Sequence, residues 1–182
     1  MRVISGKARG TKLKSPTDDM PVRPTGDRVK EALFSAIQFD LHGTVLDLFA
    51  GSGQLGIEAL SRGAESADFV DNAKPSCEII RKNLEKCGLA DRGHVIQSDY
   101  KAFLKSAGKY GLVFMDPPYA SAPVQIENAI KIMESFDILA QGGIIICESD
   151  ETEHPFPGCG KIVLRRTHHY GRTLIAIYDR VE

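Results

Sequence analysis

The sequence predicts an α/β fold in which a mostly parallel twisted sheet carries helices on both faces. The prediction rests on a length of 182 residues, which suits one domain, and on apolar strand-like runs that alternate with helix-like segments through residue 149. After that point two strand-like runs follow one another, which predicts a C-terminal antiparallel β-hairpin. Ligands of such parallel sheets bind at the carboxyl ends of the strands, and Asp47, Asp71, Asp99 and Asp116 all fall at predicted strand ends.

Each element follows from an apolar run and the residues that bound it. We expect strands near 44–49, 67–71, 93–97, 111–116 and 143–148. We expect helices near 27–38, 53–62, 74–88, 100–106 and 123–135. The hairpin strands are expected over 161–166 and 174–178. Helix ends are predicted where glycine can form a left-handed C-cap, at Gly63, Gly88 and the pair Gly142-Gly143.

The first strand runs into a glycine-rich turn that predicts a ligand site. Gly51, Gly53 and Gly56 fit the pattern G-x-G-x-x-G, and such glycines let a ligand approach the backbone at an open helix N-terminus. Asp71 lies twenty positions after Gly51, where an acidic residue would accept a hydrogen bond from a ribose hydroxyl. NAD and S-adenosylmethionine both contain such a ribose, so the glycines do not choose between them.

Two further aspartates bear on that choice. Asp47 precedes the glycines, where its carboxylate would repel phosphates and suit the cationic amino group of a methionine, although it could also brace the loop. Asp99 could bind an adenine amino group, cap the following helix, or do both. The predicted cofactor site is made up of Asp47, Phe49, Ala50, Gly51, Ser52, Gly53, Asp71, Asn72, Ser98, Asp99 and Tyr100.

The tetrapeptide Asp116-Pro117-Pro118-Tyr119 follows a buried strand and predicts the catalytic site. An amino group conjugated to a ring must be held before it can attack a methyl group. The carboxylate of Asp116 and the carbonyl of Pro117 can accept its two hydrogens, and Tyr119 can stack on a planar substrate. The simpler alternative is a Pro-Pro turn that closes a strand.

Charge is distributed unevenly, although the net charge is only −1. Residues 1–30 carry eight Lys or Arg against three Asp, and residues 158–182 carry five against two acidic residues. The basic ends favour contacts with phosphate, although they could be solubilising tails, and Arg28 could pair with Glu31. The predicted RNA contacts are Arg9, Arg23, Thr25, Arg28, His169, Tyr170 and Arg172.

These motifs resemble a known family. The segment 47–53, with Asp71, Asp99 and the tetrapeptide 116–119, is similar to class I methyltransferases. The segments 2–10 and 22–34 resemble the RsmD family, which methylates a guanine N2 in small-subunit ribosomal RNA. The resemblance covers essentially the whole chain. Asp71 stands where many relatives have a glutamate, which shortens the reach to the ribose without changing the sign of the charge.

The resemblance implies a Rossmann-like class I methyltransferase fold with a short basic N-terminal extension. It implies one domain over 1–182, in which 1–26 contacts RNA and 27–182 forms the catalytic core. The implied cofactor is S-adenosyl-L-methionine, and the implied partner is 16S rRNA, within a small-subunit ribosomal particle. No obligate protein partner is implied.

Several classes of protein are disfavoured. No apolar run is long enough to cross a membrane, and no signal peptide opens the chain, so we expect a cytoplasmic protein. The four cysteines form no C-x-x-C pair, and His168-His169 lacks further spaced ligands, so we expect no metal.

The open alternatives are adenine N6 methylation, methylation of a protein glutamine amide, an NAD-dependent oxidoreductase, and a non-catalytic RNA-binding assembly factor.

Overall fold

A computed structural model describes residues 1–15, 26–37 and 43–182. The strands are β1 Thr44–Leu48, β2 Ser66–Asp71, β3 Gly93–Gln97, β4 Tyr110–Met115, β5 Leu139–Asp150, β6 Gly158–Cys159, β7 Ile162–Tyr170 and β8 Thr173–Arg180. The helices are α1 Asp27–Ala36, α2 Gln54–Arg62, α3 Lys74–Cys87, α4 Tyr100–Leu104 and α5 Ala122–Ser135. The predicted alternation of strands and helices is confirmed.

The described strands form one sheet in the order β3-β2-β1-β4-β5-β8-β7-β6. The first five strands of that order, β3, β2, β1, β4 and β5, run parallel to one another. Strand β8 is antiparallel to β5, β7 is antiparallel to β8, and β6 is antiparallel to β7. The chain order reverses between β1 and β4, which are neighbours in the sheet. Ligands of open α/β sheets bind at such a switch point, so the carboxyl ends of β1 and β4 are where a site is expected.

The sheet is covered on both faces. Successive residues of a strand point to opposite faces, so Leu112 and Phe114 join one core cluster while Val113 and Met115 join the other. Helices α1, α2 and α3 contribute buried residues to the first cluster, and α4 and α5 contribute to the second. Helices on both faces are therefore confirmed, and the sheet is a rigid platform for the loops at its carboxyl edge.

Two predicted boundaries are wrong. Gly142-Gly143 does not end a helix but lies inside β5, next to a shift in its register with β4. Helix α5 ends at Ser135, as its predicted range has it, and the left-handed residue Asp137 follows with a φ of 55°. Strand β5 then begins at Leu139 and not near 143 as predicted. A glycine pair satisfies a helix stop and a strand irregularity equally well, so the sequence pattern could not separate them.

The C-terminal hairpin is confirmed but is longer than predicted. Strand β7 continues to Tyr170 and β8 begins at Thr173, so the turn consists of Gly171 and Arg172. His169 and Tyr170 therefore lie in a strand, not at a loop tip as the sequence predicted. Pairing with β8 supplies backbone partners that make strand geometry favourable for this polar segment.

The N-terminal segment, residues 1–15, packs against the core. The buried carboxylate of Glu58 accepts hydrogen bonds from the backbone amides of Ile4 and Ser5, at 2.8 and 3.0 Å. The buried ammonium of Lys30 lies 3.7 Å from Glu58, which partly compensates its charge. The side chain of Asn83 accepts a hydrogen bond from the backbone amide of Lys14 and donates one to the backbone carbonyl of Lys14. The division of the chain at residue 26 stays a prediction.

Candidate active site

A cleft of about 610 Å³ opens at the carboxyl edge of the sheet, over the switch point between β1 and β4. This volume is within the range of pockets that hold small molecules. The cleft is lined by Phe49, Gly51, Val70, Asp71, Asn72, Ser76, Ser98, Asp99, Tyr100, Asp116, Pro117, Pro118, Tyr119, Gln125, Asp150 and Arg172. It thus joins most residues of the two predicted sites in one cavity.

The turn after β1 forms one wall of the cleft. Phe49 has a φ of 66°, a left-handed conformation that is rare for an aromatic residue. Its ring lies 4.9 Å from the ring of Tyr100, measured between centroids. This conformation turns the chain sharply at the strand end, and strain of this kind is concentrated at functional sites.

Asp71 and Asp99 are held in the cleft by backbone amides. The Asp71 carboxylate accepts hydrogen bonds from the amides of Gly51 and Ala73, both at 2.9 Å. The Oδ1 atom of Asp99 accepts hydrogen bonds from Lys101 and Ala102, which caps α4. The capping role of Asp99 is therefore observed, and its contact with an adenine stays a prediction.

Asp47 lies beneath the glycine-rich turn and is absent from the described lining of the cleft. Its Oδ2 atom accepts a hydrogen bond of 2.9 Å from the amide of Gly56, so it braces the loop. Burial raises the pKa of Asp47 to about 7, against the lowering effect of the Gly56 hydrogen bond, and the charge of Asp71 raises it further. Its predicted contact with a cofactor stays a prediction.

The third glycine of the pattern serves packing. A side chain at Gly56 would place its Cβ 2.4 Å from the ring of Phe69 and 3.1 Å from Asp47. Close approach of α2 to β2 therefore requires glycine here. Three other predicted cofactor residues are buried and outside the described lining: Ala50, Ser52 and Gly53.

Asp116 and Tyr119 lie together at the carboxyl end of β4. Burial raises the pKa of Asp116 well above its ordinary value, and the negative charges of Glu148 and Asp47 raise it further. The Tyr119 hydroxyl donates a hydrogen bond to Oε1 of Glu148 at 3.1 Å and lies 3.4 Å from the Thr173 hydroxyl. Burial also raises the pKa of Tyr119 to about 12.

The cleft contains residues that the sequence analysis missed. Glu148 lies beside Asp116, and Gln125 and Asp150 line the cleft; Arg172, which was predicted only as an RNA contact, lines it as well. Glu148 falls at the predicted end of the fifth strand, the signal that identified the aspartates on the other strands, so it could have been found. The Arg172 guanidinium lies 3.8 Å from the Asp150 carboxylate, a pairing between β5 and the hairpin turn that no sequence spacing indicates.

The predicted RNA contacts are dispersed. Arg9 and Arg28 are exposed away from the cleft, and His169 is exposed on β7. Tyr170 packs partly against the core, and Arg172 lines the cleft. Arg23 and Thr25 lie outside the described residues.

Two negative observations apply to residues 1–15, 26–37 and 43–182. These residues contain no group of three or more histidines, cysteines or acidic residues that could hold a metal ion. Within the same ranges, no helix is both long and apolar enough to span a membrane.

The cleft is acidic, because Asp71, Asp99, Asp116 and Asp150 all line it. Such a site attracts a cationic ligand and repels a pyrophosphate. With the sheet order and the Asp-Pro-Pro-Tyr tetrapeptide, these features define a Rossmann-like protein of the methyltransferase class.

Comparisons with known proteins identify the family. The family described as "Conserved hypothetical protein 95" matches residues 1–179, and the chain belongs to it. The chain is 37% identical over 183 residues to "Ribosomal RNA small subunit methyltransferase D" of Escherichia coli, covering 99% of this chain and 90% of that protein. The resemblance to the RsmD family is thus confirmed.

Other relatives agree along the chain. The protein of the same name from Haemophilus influenzae is 36% identical over 157 residues, covering 83% of this chain and 79% of that protein. The solved structure of yhhF from Escherichia coli matches with a TM-score of 0.83 and 32% identity, covering 99% of this chain and 97% of that one.

Proposed function

We propose that this protein transfers a methyl group from S-adenosylmethionine to the exocyclic N2 amino group of a guanine in 16S rRNA. The observation that carries the proposal is the single acidic cleft that joins Asp71 and Asp99 to Asp116 and Tyr119. The relatives named as small-subunit rRNA methyltransferases support rRNA as the substrate. The guanine N2 atom follows from the resemblance to the RsmD family.

The part of the cleft around Asp71 and Asp99, which we call the inner half, suits the cofactor. Asp71 would accept hydrogen bonds from the ribose hydroxyls, and Asp99 from the adenine amino group. Phe49 and Tyr100 would pack against the adenine plane, with Gly51 allowing close approach of the backbone. Asp47, which lies beneath the glycine-rich turn, would either hold that turn in place or bind the methionine amino group of the cofactor. When bound, the cofactor supplies a methyl group activated by a sulfonium.

The part of the cleft around Asp116 and Tyr119, which we call the outer half, suits the target guanine. Asp116 would accept one hydrogen of the target amino group and the Pro117 carbonyl the other, which directs the nitrogen lone pair towards the methyl carbon. Tyr119 would stack on the base, which must leave its helix to enter the cleft. The nitrogen would then bond to the methyl carbon as the carbon–sulfur bond breaks, and the electron pair of that bond would go to sulfur.

The nitrogen loses one proton after it is methylated. Water or Asp116 can take that proton. The raised pKa of Asp116 makes its carboxylate a better proton acceptor than an ordinary aspartate, and burial is the main cause. Because the sulfonium of the cofactor already carries an activated methyl group, the transfer would need no metal.

Basic surfaces outside the cleft, together with Arg172 in its lining, would hold the RNA. We propose that the N-terminal segment, α1 and the hairpin contact the phosphate backbone through residues such as Arg9, Arg28 and Arg172. We propose that the chain works as one domain in the cytoplasm, on a small-subunit ribosomal particle.

The direct test is methyl transfer from labelled S-adenosylmethionine to unmodified small-subunit particles, naked 16S rRNA and DNA, followed by nucleoside mass spectrometry. We expect N2-methylguanosine from the unaltered protein and none from Asp116→Ala. N6-methyladenosine would keep the chemistry and overturn the substrate. Transfer to no nucleic acid would contradict the proposal and favour a protein substrate or a non-catalytic RNA-binding role.

A further inference from the structure

Glu148 is a buried carboxylate that the proposed transfer does not itself use. In the parallel pairing of β4 with β5, Met115 lies opposite Cys147, so the next residues, Asp116 and Glu148, lie side by side at the edge of the cleft. Glu148 is only 5% exposed. Placing two carboxylates next to each other in a buried site is unfavourable, which calls for a compensating role.

The contact between Glu148 and Tyr119 indicates that role. The phenolic hydroxyl of Tyr119 donates a hydrogen bond to Oε1 of Glu148 at 3.1 Å. The hydroxyl of Thr173, on β8, lies 3.4 Å from the same phenolic oxygen. The tip of the Tyr119 side chain is thus held by two strands, while its ring lines the cleft next to Asp116. A hydrogen bond to a carboxylate is stronger than one between neutral groups, and it fixes direction.

The segment that contains Tyr119 is short and begins next to an exposed residue. Tyr119 begins a single turn of 3-10 helix, Tyr119–Ser121, preceded by the exposed Pro118. Without a partner for its hydroxyl, the ring could rotate away from the base position. A stacking platform aids transfer only when it is already oriented.

We propose that Glu148 is a positioning residue of the methyl-transfer site, which fixes the Tyr119 ring through the phenolic hydroxyl and so orients the target base against Asp116. This inference rests on the proposed function. It adds to it a residue that acts through another side chain and does not touch the substrate.

A double-mutant cycle tests the inference. We expect Glu148→Ala and Tyr119→Phe each to lower kcat/KM for the RNA by about tenfold, the loss of one charge-assisted hydrogen bond. Because both variants remove the same contact, the double variant should also lose about tenfold, not about a hundredfold. Glu148→Gln retains an acceptor oxygen of similar size and should recover activity to within about threefold of the unaltered protein.

Two controls separate positioning from general damage. Glu151→Gln removes an exposed carboxylate of the same chain segment and should leave kcat/KM unchanged. The rise in Tm with S-adenosylhomocysteine should be the same in every variant, because Asp71 and Asp99 are untouched. The Glu148→Gln variant keeps the test valid if Glu148→Ala does not fold.

The pH profile gives a further readout that a merely structural residue would not change. The charged groups that raise the pKa of Asp116 are Glu148 from β5 and Asp47 from β1, and Asp71, Asp99, Asp150 and Arg172 line the same cleft. Removing the Glu148 charge should lower the pKa of Asp116, so Glu148→Gln should shift the acid limb of kcat/KM to lower pH. Tyr119→Phe should leave that limb in place.

The outcomes are distinct. Additive losses in the cycle, or full activity of Glu148→Ala, would overturn the inference while methyl transfer by the unaltered protein upheld the proposed function. Absence of transfer by the unaltered protein would overturn the proposed function and the inference with it.

Discussion

The two halves of the cleft hold their carboxylates in different ways. In the inner half, Asp71 and Asp99 each accept two hydrogen bonds from backbone amides. In the outer half, Asp116 lies beside Glu148, and side chains such as Tyr119 surround them. Substituting a side chain leaves the backbone amides in place, whereas each side-chain partner can be removed by a single mutation.

This difference separates binding from chemistry. Acceptors fixed by the backbone form a preorganised site for a ligand that must be held in one orientation. Neighbouring buried acids raise the pKa of Asp116, which suits a residue that accepts hydrogens from the reacting nitrogen. Mutations and pH should therefore affect the two halves differently.

Asp116→Ala should have the largest effect. We expect kcat to fall by about 10²- to 10³-fold, the usual loss when one oriented group at a reacting centre is removed. The increase in Tm with S-adenosylhomocysteine should remain, because the inner half is unchanged. Methyl-transfer rates and thermal melts would check both parts. Loss of the ligand-induced shift would contradict the division between the halves.

Asp71→Ala should show the opposite pattern. Losing a carboxylate that accepts hydrogen bonds should raise the KM for S-adenosylmethionine by about 10- to 100-fold, with a smaller change in kcat at saturation. The matched control is Asp91→Ala, which removes an exposed aspartate between α3 and β3 and should leave that KM unchanged. An effect confined to kcat would show that Asp71 acts in transfer.

Asp47→Asn should stabilise the protein in a pH-dependent manner. The folded-state pKa of about 7 lies above the ordinary 3.8, so the stability linked to protonated Asp47 is complete below 3.8 and is lost as pH rises through 7. Asparagine does not titrate and can still accept from Gly56. Its advantage over the unaltered protein should therefore grow by about 2 kcal/mol between pH 5 and pH 8.

Urea unfolding at the two pH values would measure that advantage. Asp99→Asn is the comparison from the inner half, since asparagine caps a helix about as well as aspartate and should change stability little. An Asp47→Asn variant with the same relative stability at both pH values would contradict the assignment of a raised pKa to Asp47.

Arg28→Ala should have the smallest effect. Losing one exposed phosphate contact should weaken RNA binding by about two- to fivefold and reduce its dependence on salt, without changing the KM for the cofactor. Lys131→Ala on α5 is the control, because this lysine is exposed and pairs with Glu127. Filter binding at two salt concentrations would detect the difference. Equal losses from both variants would mean that RNA contacts are not localised.

Much of the fold was predictable because local sequence patterns indicate most of its strands and helices. The observed β1, β3 and α3 agree with the predicted ranges to within one residue. The start of β5 and the full length of the hairpin were not predicted. In the hairpin, a strand of polar residues such as His169 is stabilised by pairing with β8, so its own apolar pattern does not indicate it.

The site was predictable where a residue ends a parallel strand. Asp71, Asp99 and Asp116 were predicted on that ground and do line the cleft. Asp47 is the next-to-last residue of β1, yet its side chain lies under the loop and accepts from the amide of Gly56. Side-chain direction at a strand end depends on the following turn, which periodicity does not describe.

The order of residues along the chain suffices for the fold class, the family and the group of aspartates, because apolar periodicity and short motifs are local properties. Only the folded arrangement decides which carboxylates share a cleft, which are buried and which partner each one has. Tyr119 meets Glu148 and Thr173 across 29 and 54 positions in the sequence. Contacts over such separations, and the pKa values that follow from burial, exist only once the sheet has brought its strand ends together.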